Sequence, residues 1–170
     1  YKDFENRLKR GELMNADSIH FADSLKFYTL RKHRTVYGGG GIMPDYFVPL
    51  DTTTYTPYHR QLVAKGIVNE TVLRYIDNNR KMLKKQYTSF DEFRRAFTVP
   101  QSLLGDIRKV AEKKSVKPKD EDERKQTVPY LSNQLKALVA RDLWDMDEYF
   151  QIINETSDIV KKGLERLQSL

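Results

Sequence analysis

The spacing of hydrophobic and polar positions changes once along the chain, near residue 55. Before that point, short runs rich in aromatic and β-branched residues predict two or three strands, at residues 25–30, 35–37 and 46–48. After it, apolar residues recur every three to four positions, a spacing typical of amphipathic helices. The pattern therefore predicts an α+β fold that is mainly α. Residues 1–57 would hold the strands, and residues 58–170 a bundle of about five helices.

Capping residues suggest where several helices begin. Asn69 is a favourable N-cap for a helix that reaches about residue 87, and Ser89 with Glu92 has the spacing of a capping box. Asp145 with Glu148 repeats that spacing before the last predicted helix. Residues 115–126 are almost all polar and include a proline, which predicts an exposed loop that begins a helix at its acidic end. The next helix is predicted over residues 128–143.

Composition and charge narrow the classes of partner. The 30 Lys and Arg residues exceed the 24 Asp and Glu residues, for a formal net charge of +6, but bases and acids alternate along the helical segments. Such mixed charge is typical of solvated helix surface, so we expect no nucleic-acid partner. The chain has no cysteine, which excludes disulfides and thiol nucleophiles in this segment. No apolar run approaches the length of a membrane span.

The first residues have neither an initiator methionine nor the charged and then apolar order of a signal peptide. We therefore expect the chain to be part of a longer polypeptide, with any signal or anchor upstream of Tyr1.

The three histidines do not have the spacing of a metal site. His20, His33 and His59 lie far apart in the sequence, whereas two imidazoles on one helical face need an i, i+4 arrangement. We expect surface or turn histidines and no metal ion. Ser18, Ser24 and Lys26 could form a serine nucleophile with a lysine base, but no small-residue turn marks either serine. Helix caps and turns are the expected roles of these serines.

The four consecutive glycines from Gly38 to Gly41 are the most specific local feature. Glycine is kept where the backbone needs positive φ or lies against another group without a side chain between. The tract lacks the Lys-Ser/Thr ending of a phosphate-binding P-loop and precedes a strand-like run, so we expect no nucleotide or other cofactor. Asp45 is the nearby carboxylate, and we expect it to cap a turn.

The segment from Arg34 to Asp51 resembles a signature of carboxyl-terminal processing, or tail-specific, serine peptidases. It reads Arg-Thr-Val-Tyr-Gly-Gly-Gly-Gly-Ile-Met-Pro-Asp-Tyr-Phe-Val-Pro-Leu-Asp, and the family signature is Gly-Gly-Ile-x-Pro-Asp-x-x-Val near the end of the catalytic core. It looks in particular like the exported forms found in Bacteroidetes. The stretches at residues 6–13, 17–26 and 143–158 are also similar to the corresponding family regions.

The resemblance implies an exported, periplasmic or cell-envelope hydrolase that cleaves protein substrates near their carboxyl termini. In the family, a PDZ domain selects the substrate and a serine with a lysine base cuts it, and all of these would lie upstream of Tyr1. No catalytic residue is therefore expected in this chain. Residues 1–57 would be the last strands and an insert of the peptidase core. The family role of the matching residues is structural; they are Gly40, Gly41, Ile42, Pro44, Asp45 and Val48.

Two alternatives follow for the helical part, residues 58–170. It is either scaffold for the peptidase or a non-catalytic helical module for interaction or oligomerisation. A further expectation concerns residues 25–50, whose strands would have open edges in this chain. Open strand edges tend to pair with another copy, which predicts either a homodimer through those edges or disorder in that region.

Overall fold

The structure, a computed structural model, describes residues 2–38, 46–51 and 53–169, and the side chains of residues 5 onward within them. Contacts between residues divide the chain into two compact units, Tyr1–Thr52 and Thr53–Leu170. The fold is α+β and mainly α, as predicted. In chain order the elements are α1 (Lys2–Lys9), β1 (Lys26–Tyr28), β2 (Thr35–Tyr37), α2 (Pro57–Ala64), α3 (Ile67–Gln86), α4 (Phe90–Ala96), α5 (Gln101–Lys113), α6 (Glu121–Leu143), α7 (Met146–Asn154) and α8 (Asp158–Gln168).

The first unit contains α1 and an antiparallel hairpin of β1 and β2, in which Phe27 pairs with Val36. Gly38 follows β2 and donates its N–H to the Leu25 carbonyl oxygen at 2.7 Å. A Cβ atom at Gly38 would lie 2.8 Å from the Phe27 ring, closer than side chains approach one another. The position of the Phe27 ring therefore favours glycine as the first residue of the tract, since a larger residue there would push the ring aside.

Two or three strands were predicted, and the described residues contain two; the third run, at residues 46–48, is not a strand. Residues 46–51 have bend and irregular backbone, and there the Leu50 N–H donates to the Leu13 carbonyl oxygen at 2.9 Å. A β-branched or aromatic run becomes a strand only where another strand pairs with it. The rest of the signature, with Gly40, Gly41, Ile42, Pro44 and Asp45, lies outside the described residues, so the structural role expected for it stays a prediction.

Helix α3 begins two residues before the predicted N-cap, so the prediction for Asn69 is wrong. Gly66 is the N-cap instead, with φ of 69°, and its carbonyl oxygen accepts the Glu70 N–H at 3.0 Å. Glycine adopts this left-handed backbone without steric cost and so joins α2 to α3 in one tight turn.

Ser89 caps α4 as predicted, but the capping box is offset. The Ser89 hydroxyl accepts the Glu92 N–H at 3.3 Å. The Glu92 carboxylate, however, accepts from the backbone N–H and the hydroxyl of Thr88, at 3.1 and 2.9 Å, one residue before the cap. The box at Asp145 and Glu148 is complete and begins α7 as predicted.

Helix α6 begins at Glu121, seven residues before the predicted start at Val128. Asp120 is its N-cap and accepts the Glu123 N–H at 2.8 Å. Three acidic residues in the first turn stabilise the positive end of the helix dipole. Pro129, which suits a first turn, lies inside the helix. The acidic end of the predicted loop therefore belongs to the longest helix.

The second unit has seven helices among residues 53–169, where about five were predicted. The last predicted helix is divided at residues 155–157, where Ser157 caps α8 by accepting the Val160 N–H at 3.4 Å. The core lies chiefly between α3, α5 and α6, with α2, α4 and α7 around it. No helix in the described ranges is both long and apolar enough to cross a membrane.

Candidate functional site

A concave surface lies between α2, α6 and α7 in the second unit, and we call it the tyrosine groove. It encloses about 370 Å³, within the size range of ligand sites in proteins. Its walls are mainly apolar and aromatic, with two side-chain amides and one guanidinium among them. The lining residues are Tyr55, His59, Arg60, Val63, Ala64, Tyr130, Asn133, Gln134, Tyr149, Ile153 and Thr156.

Helical periodicity explains why these side chains share one surface. Positions 59, 60, 63 and 64 lie on one face of α2, and positions 130, 133 and 134 lie on one face of α6. Positions 149 and 153 are one turn apart on α7. Residues three or four apart are neighbours on a helix surface, so three separate helices each contribute one narrow strip to the groove.

The start of α2 is fixed to α6 by buried hydroxyl groups. Thr56, the N-cap of α2, accepts the His59 N–H at 3.1 Å, and its hydroxyl lies 2.6 Å from that of Thr127. Thr127 donates its own proton to the Glu123 carbonyl oxygen, so Thr56 is the donor between the two threonines. The Glu123 carboxylate also accepts the Tyr58 N–H at 2.9 Å. These contacts set the position of His59 relative to α6.

His59 forms the floor of the groove and is only 4% exposed. Its Nε2 lies 3.0 Å from Gln134 Oε1, and its ring stacks on Tyr55 with centroids 4.8 Å apart. Burial lowers the pKa of His59, and the hydrogen bond that His59 donates to Gln134 opposes that shift. The ring is therefore neutral at pH 7, with Nε2–H as donor to Gln134 and Nδ1 as an acceptor.

Polar contacts also hold the opposite wall. Asn133 donates through Nδ2 to the Ile152 carbonyl oxygen at 3.4 Å and to the Thr156 hydroxyl at 3.2 Å. Thr156 in turn donates to the Ile153 carbonyl oxygen at 3.2 Å. Tyr130 meets Tyr55 edge to face, with centroids 5.9 Å apart. The groove is thus held in shape by hydrogen bonds and ring contacts between all three helices.

The groove has the chemistry of a binding site. None of the lining residues is a serine, cysteine, lysine or carboxylate, and the hydroxyl of Thr156 is hydrogen-bonded to backbone. A nucleophile needs an adjacent base within hydrogen-bond distance, and the neutral His59 is instead bonded to an amide. The arrangement can bind and orient a ligand, and it offers no pair for covalent catalysis.

A second concave surface, beside Tyr58, is larger but charged. It encloses about 610 Å³ and is lined in part by Arg108, Glu112, Glu121 and Arg124. Arg124 pairs with Glu121 on the same helix, and Arg108 lies 4.0 Å from Glu112. Because both of these arginines are paired with carboxylates one turn away, this surface resembles solvated helix face and is a weaker candidate than the tyrosine groove.

The histidines do not meet in one site. His20 and His33 are exposed residues of the first unit, and His33 has φ of 46° in the hairpin turn. The prediction of a surface or turn position is correct for these two and wrong for His59, which is buried. Among the described residues, no group of three metal-ligating side chains lies together.

The serine and lysine positions considered for catalysis do not form a pair. Ser18 and Ser24 lie in short 3-10 turns, and Lys26 is exposed at the start of β1. An activated lysine base must be desolvated, and the side chain of Lys26 remains in water.

A comparison with protein families matches most of the helical unit to one family. A family model described as a family of unknown function (DUF8443) matches residues 58–145, just over half of the chain. The chain belongs to DUF8443. The matched DUF8443 region runs from α2 through α6, so it includes the groove residues of those two helices and ends before α7. Comparisons with curated proteins and with solved structures gave no match.

Sequence reasoning did not identify the groove. It placed His59 at the surface or in a turn, and it did not single out Tyr130, Gln134 or Tyr149. The available signal was the recurrence of tyrosines and amides at helical spacing on segments 55–64, 130–134 and 149–156.

Proposed function

We propose that this chain is the C-terminal part of a carboxyl-terminal processing serine peptidase, exported to the periplasm or cell envelope. In this proposal residues 53–169 form a helical domain that takes no part in bond cleavage, and the PDZ domain and the catalytic serine and lysine lie upstream of Tyr1. The parent enzyme cleaves protein substrates near their carboxyl termini.

The observation that carries the proposal is the Gly-Gly-Ile-x-Pro-Asp-x-x-Val match from Gly40 to Val48, directly before the helical unit. Two features of the described residues support it. The chain has a short strand-containing unit followed by a helical one, which is the order expected from the resemblance. The tyrosine groove also offers no nucleophile, which fits a domain that is accessory to catalysis.

A peptide-cleavage assay tests this proposal. The complete product of the gene that encodes this chain is incubated with an unstructured peptide, and its fragments are identified by mass spectrometry. We expect cleavage near the peptide's carboxyl terminus and its loss when the upstream serine of the Ser-Lys pair is replaced by alanine. A complete product with no PDZ domain, no Ser-Lys pair and no cleavage would overturn the proposal.

A second candidate function is a helical module for interaction or oligomerisation. The open tyrosine groove favours it, as does α8, whose apolar side chains at Ile159, Leu164 and Leu167 are exposed. Deletion of residues 58–170 from the complete product separates this role from a scaffold role. If folding and cleavage persist while substrate choice or oligomeric state changes, the module role is supported; loss of the folded core supports the scaffold role.

A further inference from the structure

We propose that residues 30–33, the apex of the β1–β2 hairpin, bind an anionic phospholipid surface. In this arrangement Leu30 enters the headgroup layer, and the cations of Arg31 and Lys32 contact lipid phosphates. Such binding goes beyond the proposed function, because it needs neither a nucleophile nor a substrate. It can be measured on this chain without any cleavage.

Hydrogen bonds across the turn close the hairpin apex. The Thr29 N–H donates to the Arg34 carbonyl oxygen at 3.0 Å, and the Thr29 carbonyl oxygen accepts the His33 N–H at 3.1 Å. The Thr29 hydroxyl accepts the Arg34 N–H at 3.0 Å. His33 has left-handed backbone, with φ of 46°, a conformation that histidine adopts more readily than most residues. The apex is therefore an ordered turn, and docking it costs little further conformational entropy.

Leu30 presents apolar surface to water in this turn. It is 95% exposed, and Tyr28, at the end of β1, is 61% exposed. A single exposed leucine is ordinary on a protein surface, but here an exposed tyrosine precedes it by at most about 7 Å of extended backbone. Interfacial segments enter a bilayer by about 5–10 Å, and tyrosine favours the headgroup level. Leu30 at the acyl boundary with Tyr28 among the headgroups satisfies both preferences.

The hairpin carries positive charge without acids to balance it. No Asp or Glu occurs between Asp23 and Asp45, and that segment contains the cations Lys26, Arg31, Lys32 and Arg34. Arg31 and Lys32 are exposed and make no ion pair or side-chain hydrogen bond with the residues that the structure describes. Each cation near an anionic leaflet strengthens binding about fivefold. The apex is therefore electrostatically complementary to such a surface.

An aliphatic side chain beside two cations favours lipid over other anionic partners. Single-stranded nucleic acid is bound by aromatic rings on which bases stack, and Leu30 has no ring. An acidic protein would attract Arg31 and Lys32, but it would also need an apolar pocket positioned for Leu30. An anionic bilayer offers phosphates and acyl chains side by side over its whole surface. The bilayer is the partner that satisfies both features of the apex without a matched site.

Vesicle co-sedimentation of the full 170-residue chain tests the proposal. The probes are vesicles of phosphatidylcholine alone and vesicles that also contain about 30% phosphatidylglycerol. In about 0.1 M NaCl we expect binding to the anionic vesicles at least about tenfold stronger than to the neutral ones. That binding should be lost in about 1 M NaCl, where the Debye length is about 3 Å. Equal binding to both vesicle types, or binding to neither, would overturn the proposal.

Paired substitutions locate the site. Arg31→Gln with Lys32→Gln should weaken binding about 25-fold, because two cations are lost. Lys84→Gln with Lys85→Gln is the matched control: it removes the same charge from exposed positions in the last turn of α3 and should change binding less than about twofold. Leu30→Ser should weaken binding about tenfold, whereas Leu30→Met should retain it. If the two charge pairs weaken binding equally, the apex assignment is wrong.

A dye at the apex reports insertion directly. The chain has no cysteine, so Leu30→Cys provides one site for the polarity-sensitive dye NBD, and Lys84→Cys provides the control. We expect a blue shift and brighter emission on anionic vesicles for the dye at position 30 and neither change at position 84. Equal changes at both positions, or none at position 30, would contradict insertion of the apex.

Two outcomes would assign the apex to a different partner and so refute the proposal. One is binding of fluorescein-labelled oligothymidine that Arg31→Gln with Lys32→Gln abolishes, without binding to vesicles. The other is self-association that Leu30→Ser abolishes, again without binding to vesicles. Peptide cleavage by the complete gene product is measured independently of lipid, so failure of either proposal leaves the other standing.

Discussion

Replacement of Phe93 should destabilise the helical unit more than any exposed substitution. Phe93 on α4 is 0% exposed. Its ring stacks on Phe97 with centroids 4.5 Å apart and lies 5.3 Å from the rings of Tyr87 and Trp144. Phe93→Ala therefore removes an aromatic ring from the centre of a four-ring cluster and leaves a cavity.

The expected loss follows from measured costs of such changes. A buried Phe→Ala substitution costs about 3–5 kcal/mol, while domains of this size have total stabilities of about 5–15 kcal/mol. With a urea m-value of about 1.5 kcal/mol/M, a loss of about 4 kcal/mol lowers the unfolding midpoint by about 2.7 M. Phe93→Leu, which retains much of the apolar volume, should cost about 1.5 kcal/mol.

The chain contains its own reporter for this measurement. Trp144 is the single tryptophan and contacts the Phe93 ring, so its fluorescence reports on this unit, and far-UV circular dichroism follows the helices in parallel. Phe150→Ala is the matched control, because Phe150 is 51% exposed and should cost less than about 1 kcal/mol. Equal midpoints for Phe93→Ala and Phe150→Ala would refute the position of the core.

Three further predictions concern other parts of the molecule. Burial lowers the pKa of His59 in the folded chain, so as the pH falls the unfolded chain becomes protonated at His59 before the folded chain does. The contribution of His59 to the free energy of unfolding should therefore be complete above about pH 6.5 and decrease on acidification. Urea titrations between pH 7.5 and 5 should show a smaller decline for His59→Gln, and an equal decline would contradict the assignment. Asp145→Ala removes the capping box of α7 and should cost about 1 kcal/mol in the same assay, against a smaller cost of about 0.3 kcal/mol for Asp147→Ala, which removes only a first-turn charge. The β1–β2 hairpin predicts a homodimer through its open edges; a monomer by light scattering with protected amides from Phe27 to Tyr37 would disprove it.

Local signals were sufficient where a helix end is determined by its own residues. The capping box of α7 and the Ser89 cap of α4 lie where the sequence predicts them, because an N-cap contacts backbone only two or three residues away. The β2 strand was likewise predicted from its own β-branched and aromatic residues. Such contacts are encoded within a few positions and need no tertiary information.

Features of the fold that depend on contacts with residues far away in the sequence could not be predicted from local patterns. Residues 46–48 have strand composition but pair with no strand among the residues that the structure describes, and Leu164 and Leu167 have helical spacing but are exposed on α8. The burial of His59 depends on Thr127 and Gln134 of α6, more than sixty residues away. Periodicity identifies a face, but it does not say which other element covers that face.

The measurement that tests the central claim most directly is the hydrolysis rate of one unstructured peptide by two preparations. These are the purified 170-residue chain and the complete gene product, at equal molar concentration. We expect cleavage by the complete product and none by the chain, because the proposed function places the nucleophile and its base upstream of Tyr1. Serine-dependent cleavage by the 170-residue chain itself, or no cleavage by either preparation, would contradict it.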